Sequence, residues 1–260
     1  MNLSKPEHFT RQSARPSTQY IECSGLLWYH IFMETIPKHI VLFPDGNRRW
    51  AKQRSIPTFD GHYKGYLNIL DFAEWCKNRG VKVLTAFGFS TENWNRSKEE
   101  VDYLMKLLEK CLLDNLEKYQ KDGIKVKVIG QRERLPESAQ KAIETIEKAT
   151  ENNVNLHLNL AISYGGKWDI LQAVKKIIEE KVPSDKIDEQ LFEEHLSTAG
   201  LVLPDLIIRA GGEMRLSNFV LWQAAYAELY FSPKLWPDFT EEDLDLALQE
   251  FDRRQRRFGK

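Results

Sequence analysis

The sequence predicts an α/β fold with one domain, in which a mainly parallel central sheet is flanked by helices. Strand-like apolar runs alternate with helical patterns from Lys38 to the end of the chain, an order typical of βαβ units. No internal repeat or low-complexity tract interrupts the alternation. The 260 residues are enough for one large domain or two small ones, and the unbroken alternation favours one.

The first element is a buried strand at residues 39–43, and residues 51–54 predict the start of a helix. Gly80 and Gly123 are predicted helix ends because glycine readily adopts the left-handed conformation there. The remaining elements follow from hydrophobic periodicity. Further helices are predicted at 61–79, 97–121, 132–151, 167–180, 188–196, 218–225 and 241–257, and further strands at 81–89, 124–129, 154–161 and 204–208.

Composition excludes several classes of protein. The net charge of -1 provides no field that would recruit nucleic acid, so no nucleic-acid partner is expected. The cysteines, Cys23, Cys76 and Cys111, are widely spaced. They predict a reducing compartment without a disulfide framework or a zinc site. No apolar run reaches the eighteen or so residues that a spanning helix needs.

Residues 1–35 are predicted to be an N-terminal extension, and 36–260 a catalytic domain. Residues 1–20 are polar and predict disorder. The apolar part at 26–32 comes too late for a good signal peptide and is too short to span a membrane. Met33 offers a second start, so the extension is either genuine or the product of an upstream start codon.

The most informative motif follows the first strand, where Asp45 and Gly46 precede Asn47, Arg48 and Arg49. Ligands of open α/β sheets bind outside the carboxyl ends of strands, and helix N-termini favour anions. Arginines can grip phosphate oxygens, and a carboxylate can hold the divalent cation that accompanies a polyphosphate. The alternative is an Asp-Gly turn with surface charges.

A second cluster repeats this logic after the strand at 204–208. Arg209, Arg215 and Ser217 surround Gly211 and Gly212, whose backbone amides can approach an anion closely. These side chains are natural diphosphate donors. The alternative is that the arginines only pair with nearby glutamates.

The third cluster, residues 87–96, mixes aromatic side chains with Asn93 and Arg96. This mixture suits a ligand with an apolar body and an anionic head. The same segment also fits an aromatic core edge that leads into a capped helix at 97–100. Both interpretations can hold together.

The chain resembles the cis-prenyltransferases of the undecaprenyl diphosphate synthase family, and the matching motifs occur in family order from Ile36 to Gly259. They are residues 45–51, 61–62, 89–94, 159–166, 208–223, 225–231 and 235–239. The resemblance implies a single α/β domain with a hydrophobic tunnel between sheet and helices. The apolar stripe on helix 97–121, otherwise plain core, would then also wall this tunnel, and Gly88 would leave room in it.

The resemblance implies that isopentenyl diphosphate condenses with an allylic prenyl diphosphate to form cis double bonds, with Mg²⁺ as cofactor. It also implies a homodimer in the cytoplasm that can associate peripherally with membranes through its lipid product. A short-chain or head-to-middle synthase of the lavandulyl type is the enzyme alternative. A non-catalytic subunit of a heteromeric prenyltransferase is disfavoured, because such subunits typically lose the aspartate motif.

The family match also suggests residue roles. Asp45 and Glu228 would hold Mg²⁺, with Glu228 acting near a neighbouring subunit, and Asp45 and Asn93 would be catalytic. The general base stays open between water on Asn93, His62 and the diphosphate itself. The predicted substrate-binding residues are Gly46, Asn47, Arg48, Arg49, Trp50, His62, Ser90, Thr91, Glu92, Trp94, Arg96, Arg209, Arg215 and Ser217.

Two positions depart from the family pattern. Thr58 stands where many members have an arginine, and Arg54 could supply the missing contact. Ala210 stands where threonine is commoner. Both departures bear on substrate choice.

Overall fold

The structure, a computed structural model, describes residues 35–254. The predicted extension therefore lies, apart from Thr35, outside the described residues. The strands of the described part are β1 His39–Phe43, β2 Val83–Ser90, β3 Ile124–Ile129, β4 Leu156–Tyr164, β5 Leu206–Arg209 and β6 Glu228–Phe231. They form one sheet in the order β3-β4-β2-β1-β5-β6, and every neighbouring pair is parallel. The predicted α/β class with a parallel sheet is confirmed.

Helices cover both faces of this sheet. They are α1 Asn47–Gln53, α2 Thr58–Asn78, α3 Lys98–Asp114, α4 Leu116–Asp122, α5 Glu137–Ala149, α6 Gly166–Glu179, α7 Glu189–His195 and α8 Glu241–Arg253. Because side chains alternate along a strand, β1 sends Ile40 and Leu42 into a core with α2, α3, α5 and α8. Val41 and Phe43 enter a smaller core around Phe219 on the other face.

Several predicted helices have different bounds in the structure. The helix expected to open at 51–54 already begins at Asn47, and the helix expected from residue 61 begins at Thr58. The predicted helix 97–121 is divided at Asn115, whose side-chain amide donates to the Cys111 carbonyl at 3.0 Å. Such a side chain competes with the helical hydrogen-bond pattern. The predicted helix 132–151 begins only at Glu137, since Pro136 disfavours helical backbone in the residue before it.

The predicted helix at 218–225 is wrong. Asn218 and Val220 have positive φ angles of 62° and 40°, and turns occupy this segment. Burial of Phe219 in the smaller core decides its path. The short strand β6 was not predicted, because four half-buried residues carry little pattern and form a strand only beside the edge of β5.

Candidate active site

The loops that follow β1 and β5 lie side by side at the carboxyl edge of the sheet. Phe43, the last residue of β1, pairs in register with Arg209, the last residue of β5. The chain leaves β1 toward β2 on one side and later returns to β5 on the other. This point, where the strand order reverses, is the usual ligand crevice of open α/β sheets.

Asp45 and Arg209 form an ion pair in this crevice. Arg209 Nη2 donates to Asp45 Oδ2 at 2.9 Å, and Arg49 Nη2 lies 3.4 Å from Asp45 Oδ1. The Arg209 side chain is only 5% exposed, whereas that of Asp45 is 35% exposed. The buried guanidinium thus orients a carboxylate that remains accessible to a ligand.

Arg209 also contacts the loop that follows it. Its Nη1 donates to Ser217 Oγ at 2.9 Å and to the Arg215 carbonyl, and its guanidinium lies 5.0 Å from the centre of the Phe43 ring. Its Nε is buried without a hydrogen-bond partner among the described residues. A buried donor of this kind is uncommon, and ligand-binding sites are one setting in which it persists.

Glu213 joins the two arginine loops from outside the crevice. Its carboxylate lies 2.5 Å from Arg215 Nη1 and 3.6 Å from Arg49 Nη1. For Arg215, the structure therefore shows the ion pair with a nearby glutamate that the sequence offered as the alternative to a free diphosphate donor. Gly211 is required for the approach of the loops, because a Cβ there would lie 2.7 Å from Arg49 Nη2 and the φ angle is +90°.

A second polar group, centred on Glu100 of α3, lies across the crevice. His62 Nε2 is 3.1 Å and Arg96 Nη1 is 2.9 Å from Glu100 Oε1, and Arg48 Nε is 3.9 Å away. Burial lowers the pKa of His62 despite its hydrogen bond to Glu100. Burial would raise the pKa of Glu100, but the hydrogen bond from His62 and the charge of Arg96 outweigh it and lower that pKa.

The loop after β2 is held by its own hydrogen bonds. Asn93 Oδ1 accepts the backbone N–H of Ser90 at 3.0 Å. Trp94 Nε1 donates to Ser163 Oγ at 2.8 Å, and its ring packs on Phe89 with centroids 5.0 Å apart. Trp94 thus anchors the loop on the body of the protein.

An apolar cavity of about 630 Å³ opens directly below these polar groups. Its walls are β2, β4 and the helices α2 and α3, with Leu104, Leu108 and Ile162 among the lining side chains. At its deep end the hydroxyl of Tyr66 donates to the Cys111 carbonyl at 3.0 Å and accepts from Asn115 Nδ2 at 2.6 Å. The volume lies within the range of roughly 300–1,000 Å³ usual for small-ligand pockets.

The structure brings most of the predicted site residues to one place. Those that line the cavity are Asp45, Asn47, His62, Ser90, Glu92, Asn93, Arg96, Arg209 and Ser217. Arg48 and Arg49 do not line it; Arg48 pairs with Glu100, which contacts His62 and Arg96, and Arg49 pairs with Asp45. Gly46, Thr91, Trp94 and Arg215 belong to the surrounding loops.

Trp50 and Glu228 lie elsewhere. Trp50 Nε1 donates to Asp238 at 2.7 Å, and Arg54, which could have replaced the missing arginine, also pairs with Asp238 at 3.0 Å. Glu228 begins β6 in register with Leu206, so it lies at the amino edge of the sheet and pairs with Arg254 at 2.9 Å. Within one chain it is not beside Asp45.

The residues present fit a magnesium ion that is held mainly by its substrate. No group of three potential protein ligands occurs among residues 35–254. Mg²⁺ commonly uses only one or two carboxylates together with substrate phosphates and water. Asp45, accessible and beside two arginines, suits that arrangement.

Three residues at the cavity were missed by sequence reasoning as functional side chains: Glu100, Asn218 and Tyr66. Glu100 carried a usable signal, since it lies in the first turn of the predicted helix, four residues after Arg96. Asn218 and Tyr66 carried no such signal in the sequence, because their hydrogen-bond partners are far away along the chain.

Fold and site together define a class: a parallel α/β protein that presents arginines and a carboxylate above an apolar cavity. A family model described as putative undecaprenyl diphosphate synthase matches residues 43–259, and the chain belongs to this prenyltransferase family. An isoprenyl transferase of Aquifex aeolicus is 47% identical over 225 residues, which are 86% of this chain and 96% of that protein. The predicted enzyme class, a cis-prenyltransferase, is confirmed.

Two plant relatives have defined products in their names. A chloroplastic (2Z,6Z)-farnesyl diphosphate synthase of Solanum lycopersicum is 47% identical over 232 residues, which are 87% of this chain and 80% of that protein. The crystal structure of lavandulyl diphosphate synthase from Lavandula x intermedia with dimethylallyl diphosphate superposes with a TM-score of 0.83. It is 42% identical and covers 86% of this chain and 98% of that one.

Proposed function

We propose that this protein condenses isopentenyl diphosphate with an allylic prenyl diphosphate to form a cis-prenyl diphosphate, in a reaction that depends on Mg²⁺. The observation that carries the proposal is the Asp45–Arg209 pair at the mouth of an apolar cavity. A diphosphate needs cations and hydrogen-bond donors, whereas a prenyl chain needs an apolar enclosure. Here the two environments adjoin.

The arginines would stabilise the charge that develops on the departing diphosphate. Arg48, Arg49 and the amides at the start of α1 would face the allylic diphosphate, and Arg209, Arg215 and Ser217 the isopentenyl diphosphate. Fixed donors of this kind need no reorganisation during the reaction. Bound Mg²⁺, held by Asp45 and the substrate, would add further charge neutralisation.

His62 is the ring best placed to take part in proton transfer. Its lowered pKa keeps it neutral near pH 7, and its Nε2–H donates to Glu100 because a carboxylate only accepts. A neutral imidazole retains one acceptor nitrogen. Water on Asn93 and the diphosphate itself remain the alternative bases.

A second candidate is a short-chain product, and the deep end of the cavity favours it. The apolar stripe on α3 and the small residue Gly88 favour a longer product, but Tyr66 and Tyr119 also line the cavity. Tyr66 is tied to Asn115 and Cys111, which makes this end rigid. Two plant relatives are named for short products, one of them the head-to-middle lavandulyl type.

One experiment separates these candidates. Purified protein is incubated with labelled isopentenyl diphosphate and C5, C10 or C15 allylic starters, and separately with labelled dimethylallyl diphosphate alone. Each reaction contains Mg²⁺ or a chelator, and the products are sized. A ladder of long products supports the polyprenyl assignment. A single condensation supports the short-chain candidate, and a product from dimethylallyl diphosphate alone supports head-to-middle coupling. Absence of product with every starter would refute the proposal.

A further inference from the structure

A hydrogen bond bridges the two loops on either side of the cavity mouth. Asn218 Nδ2, in the loop after β5, donates to Glu92 Oε1, in the loop after β2, at 2.8 Å. Both residues line the cavity. The bridge therefore connects the segment that carries Ser217 with the segment that carries Asn93.

Asn218 is fixed from its other side by helix α6. Its Oδ1 accepts the backbone N–H of Lys167 at 2.9 Å, and its carbonyl accepts that of Gly166 at 2.6 Å. Because Oδ1 is used in this way, Nδ2 must be the atom that faces Glu92. Asn218 and Ser217 both have positive φ angles, 62° and 46°. Asparagine adopts this conformation more readily than most residues, and such strain concentrates at functional sites.

The space below the bridge is kept free by Gly165. A Cβ at this position would lie 2.7 Å from Asn218 Nδ2 and 2.7 Å from Thr91 Oγ1. The φ angle of Gly165 is −155°, an extended conformation that any residue adopts. Glycine is therefore needed here for room between the loops.

Glu92 fits the bridge better than it fits a substrate. A carboxylate only accepts hydrogen bonds and repels a diphosphate. Its Oε1 accepts from Asn218 and its Oε2 from Thr91 Oγ1 at 3.1 Å. Although burial would raise the pKa of Glu92, hydrogen bonds led by that from Asn218 lower it.

We infer that Asn218 is a positioning residue that holds the 91–96 loop against the 210–218 loop, so that Asn93 and Ser217 keep a fixed separation across the reacting substrates. The inference rests on the proposed function. The loop at 210–218 carries the residues proposed for isopentenyl diphosphate, whereas α1 carries those for the allylic diphosphate. Loss of the bridge should therefore affect the first substrate more.

The kinetic test compares variants of the two bridge residues. Asn218→Ala and Asn218→Asp should raise the KM for isopentenyl diphosphate about tenfold, which corresponds to one hydrogen bond to a charged group. The allylic KM should change little. The double variant Glu92→Gln with Asn218→Asp reverses donor and acceptor and leaves an oxygen for Lys167, so it should return KM toward the original value.

A purely structural role would lower stability and alter both KM values alike, without recovery in the double variant. The inference would be overturned if the double variant raised the KM for isopentenyl diphosphate by the combined effect of the two single changes. It would also be overturned if folded Asn218→Ala had an unchanged KM. Asn155→Ala is the matched control, since Asn155 donates to the Asp122 carbonyl at the other edge of the sheet.

Amide hydrogen exchange without substrate tests the bridge independently of catalysis. In Asn218→Ala, amides at 91–96 should exchange faster as well as those at 210–218. Faster exchange confined to 210–218 would disprove the bridge, even if condensation occurs. The exchange result is independent of catalysis. If the original protein makes no product but Asn218→Ala shows faster exchange at 91–96, the proposed function is wrong and the bridge between the loops is still supported.

Discussion

The two edges of the sheet differ in how far their buried polar groups are paired by hydrogen bonds. At the carboxyl edge, Asn47 Oδ1 and Arg209 Nε are buried without partners among the described residues, and positive φ angles cluster at 217–220. At the amino edge, His39 uses both ring nitrogens, at 2.7 Å from the Val202 carbonyl and 2.8 Å from Thr85 Oγ1. Asp122 Oδ2, just before β3 at the amino edge, also lacks a hydrogen bond but lies 3.1 Å from Lys118 Nζ. Among the described residues, the buried polar atoms that lack both a hydrogen bond and an ion pair therefore lie at the carboxyl edge, where a ligand can bind.

The cavities follow the same division. The cavity under the carboxyl edge measures about 630 Å³, whereas the one beside His39 measures about 120 Å³. Only the larger lies within the range of roughly 300–1,000 Å³ usual for small-ligand pockets. Variants at the carboxyl edge should therefore change catalysis, and variants at the amino edge should change stability.

The largest expected effect is that of Asp45→Ala. It removes the accessible carboxylate at the mouth, so turnover should fall about 10³-fold or more, the upper range for loss of one preorganised electrostatic group. Steady-state kinetics and a thermal melt would measure this. Asp114→Ala is the control, since Asp114 pairs with Lys110 on an exposed helix face. Near-normal turnover in a folded Asp45→Ala variant would contradict the proposed catalytic role of Asp45.

Substitutions of Arg209 and Arg215 should affect the KM values of the two substrates differently. Arg215→Ala should weaken isopentenyl diphosphate binding by roughly 1.5–3 kcal/mol, or about 10- to 150-fold in KM. Arg209 contacts both Asp45 and Ser217, so Arg209→Ala should raise the KM of both substrates. Kinetics with each substrate varied in turn would test this, and a reversed pattern would mean that the two diphosphate sites are exchanged.

His39 should make stability depend on pH. Burial lowers its pKa from 6.5 to about 4. Between these values the unfolded chain binds more protons, so stability falls as pH falls, by roughly 3 kcal/mol between pH 7.5 and 4. Denaturant unfolding of the original protein and of His39→Gln should show a flatter pH dependence in the variant. Parallel curves would contradict the assignment.

The smallest effect on rate is expected within the cavity. A Cβ at Gly88 would lie 2.6 Å from Ile162 Cδ1, so the space beside Gly88 is already filled by that side chain. Gly88→Leu should push Ile162 into the cavity and shorten the products, while the first condensation persists. Tyr66→Ala opens the deep end and should lengthen them. Product sizing would test both, and identical product lengths would show that the cavity does not limit chain growth.

The cytoplasmic location, the peripheral membrane association and the homodimer stay predictions. No helix of the described residues is long and apolar enough to cross a membrane. Because Glu228 pairs with Arg254 at the amino edge, the predicted metal role of Glu228 requires the predicted homodimer. Mixing active-site and Glu228 variants and testing for recovery of activity would examine this.

The sequence by itself determined the alternation of strands and helices and the placement of Asp45 and Arg209 at strand ends. These follow from local periodicity and from the parallel sheet that the periodicity implies. The α2, α3 and α5 patterns were recognisable for the same reason, and the largest errors in their bounds lie where Pro136 and Asn115 set the ends.

Only the tertiary structure decided which charges meet. Glu100 with His62, Asn218 with Glu92 and Tyr66 with Asn115 are contacts between residues 38, 126 and 49 positions apart. It also placed Glu228 at the amino edge and replaced the predicted helix at 218–225 by turns. Such outcomes depend on burial against distant elements, which local propensity does not contain.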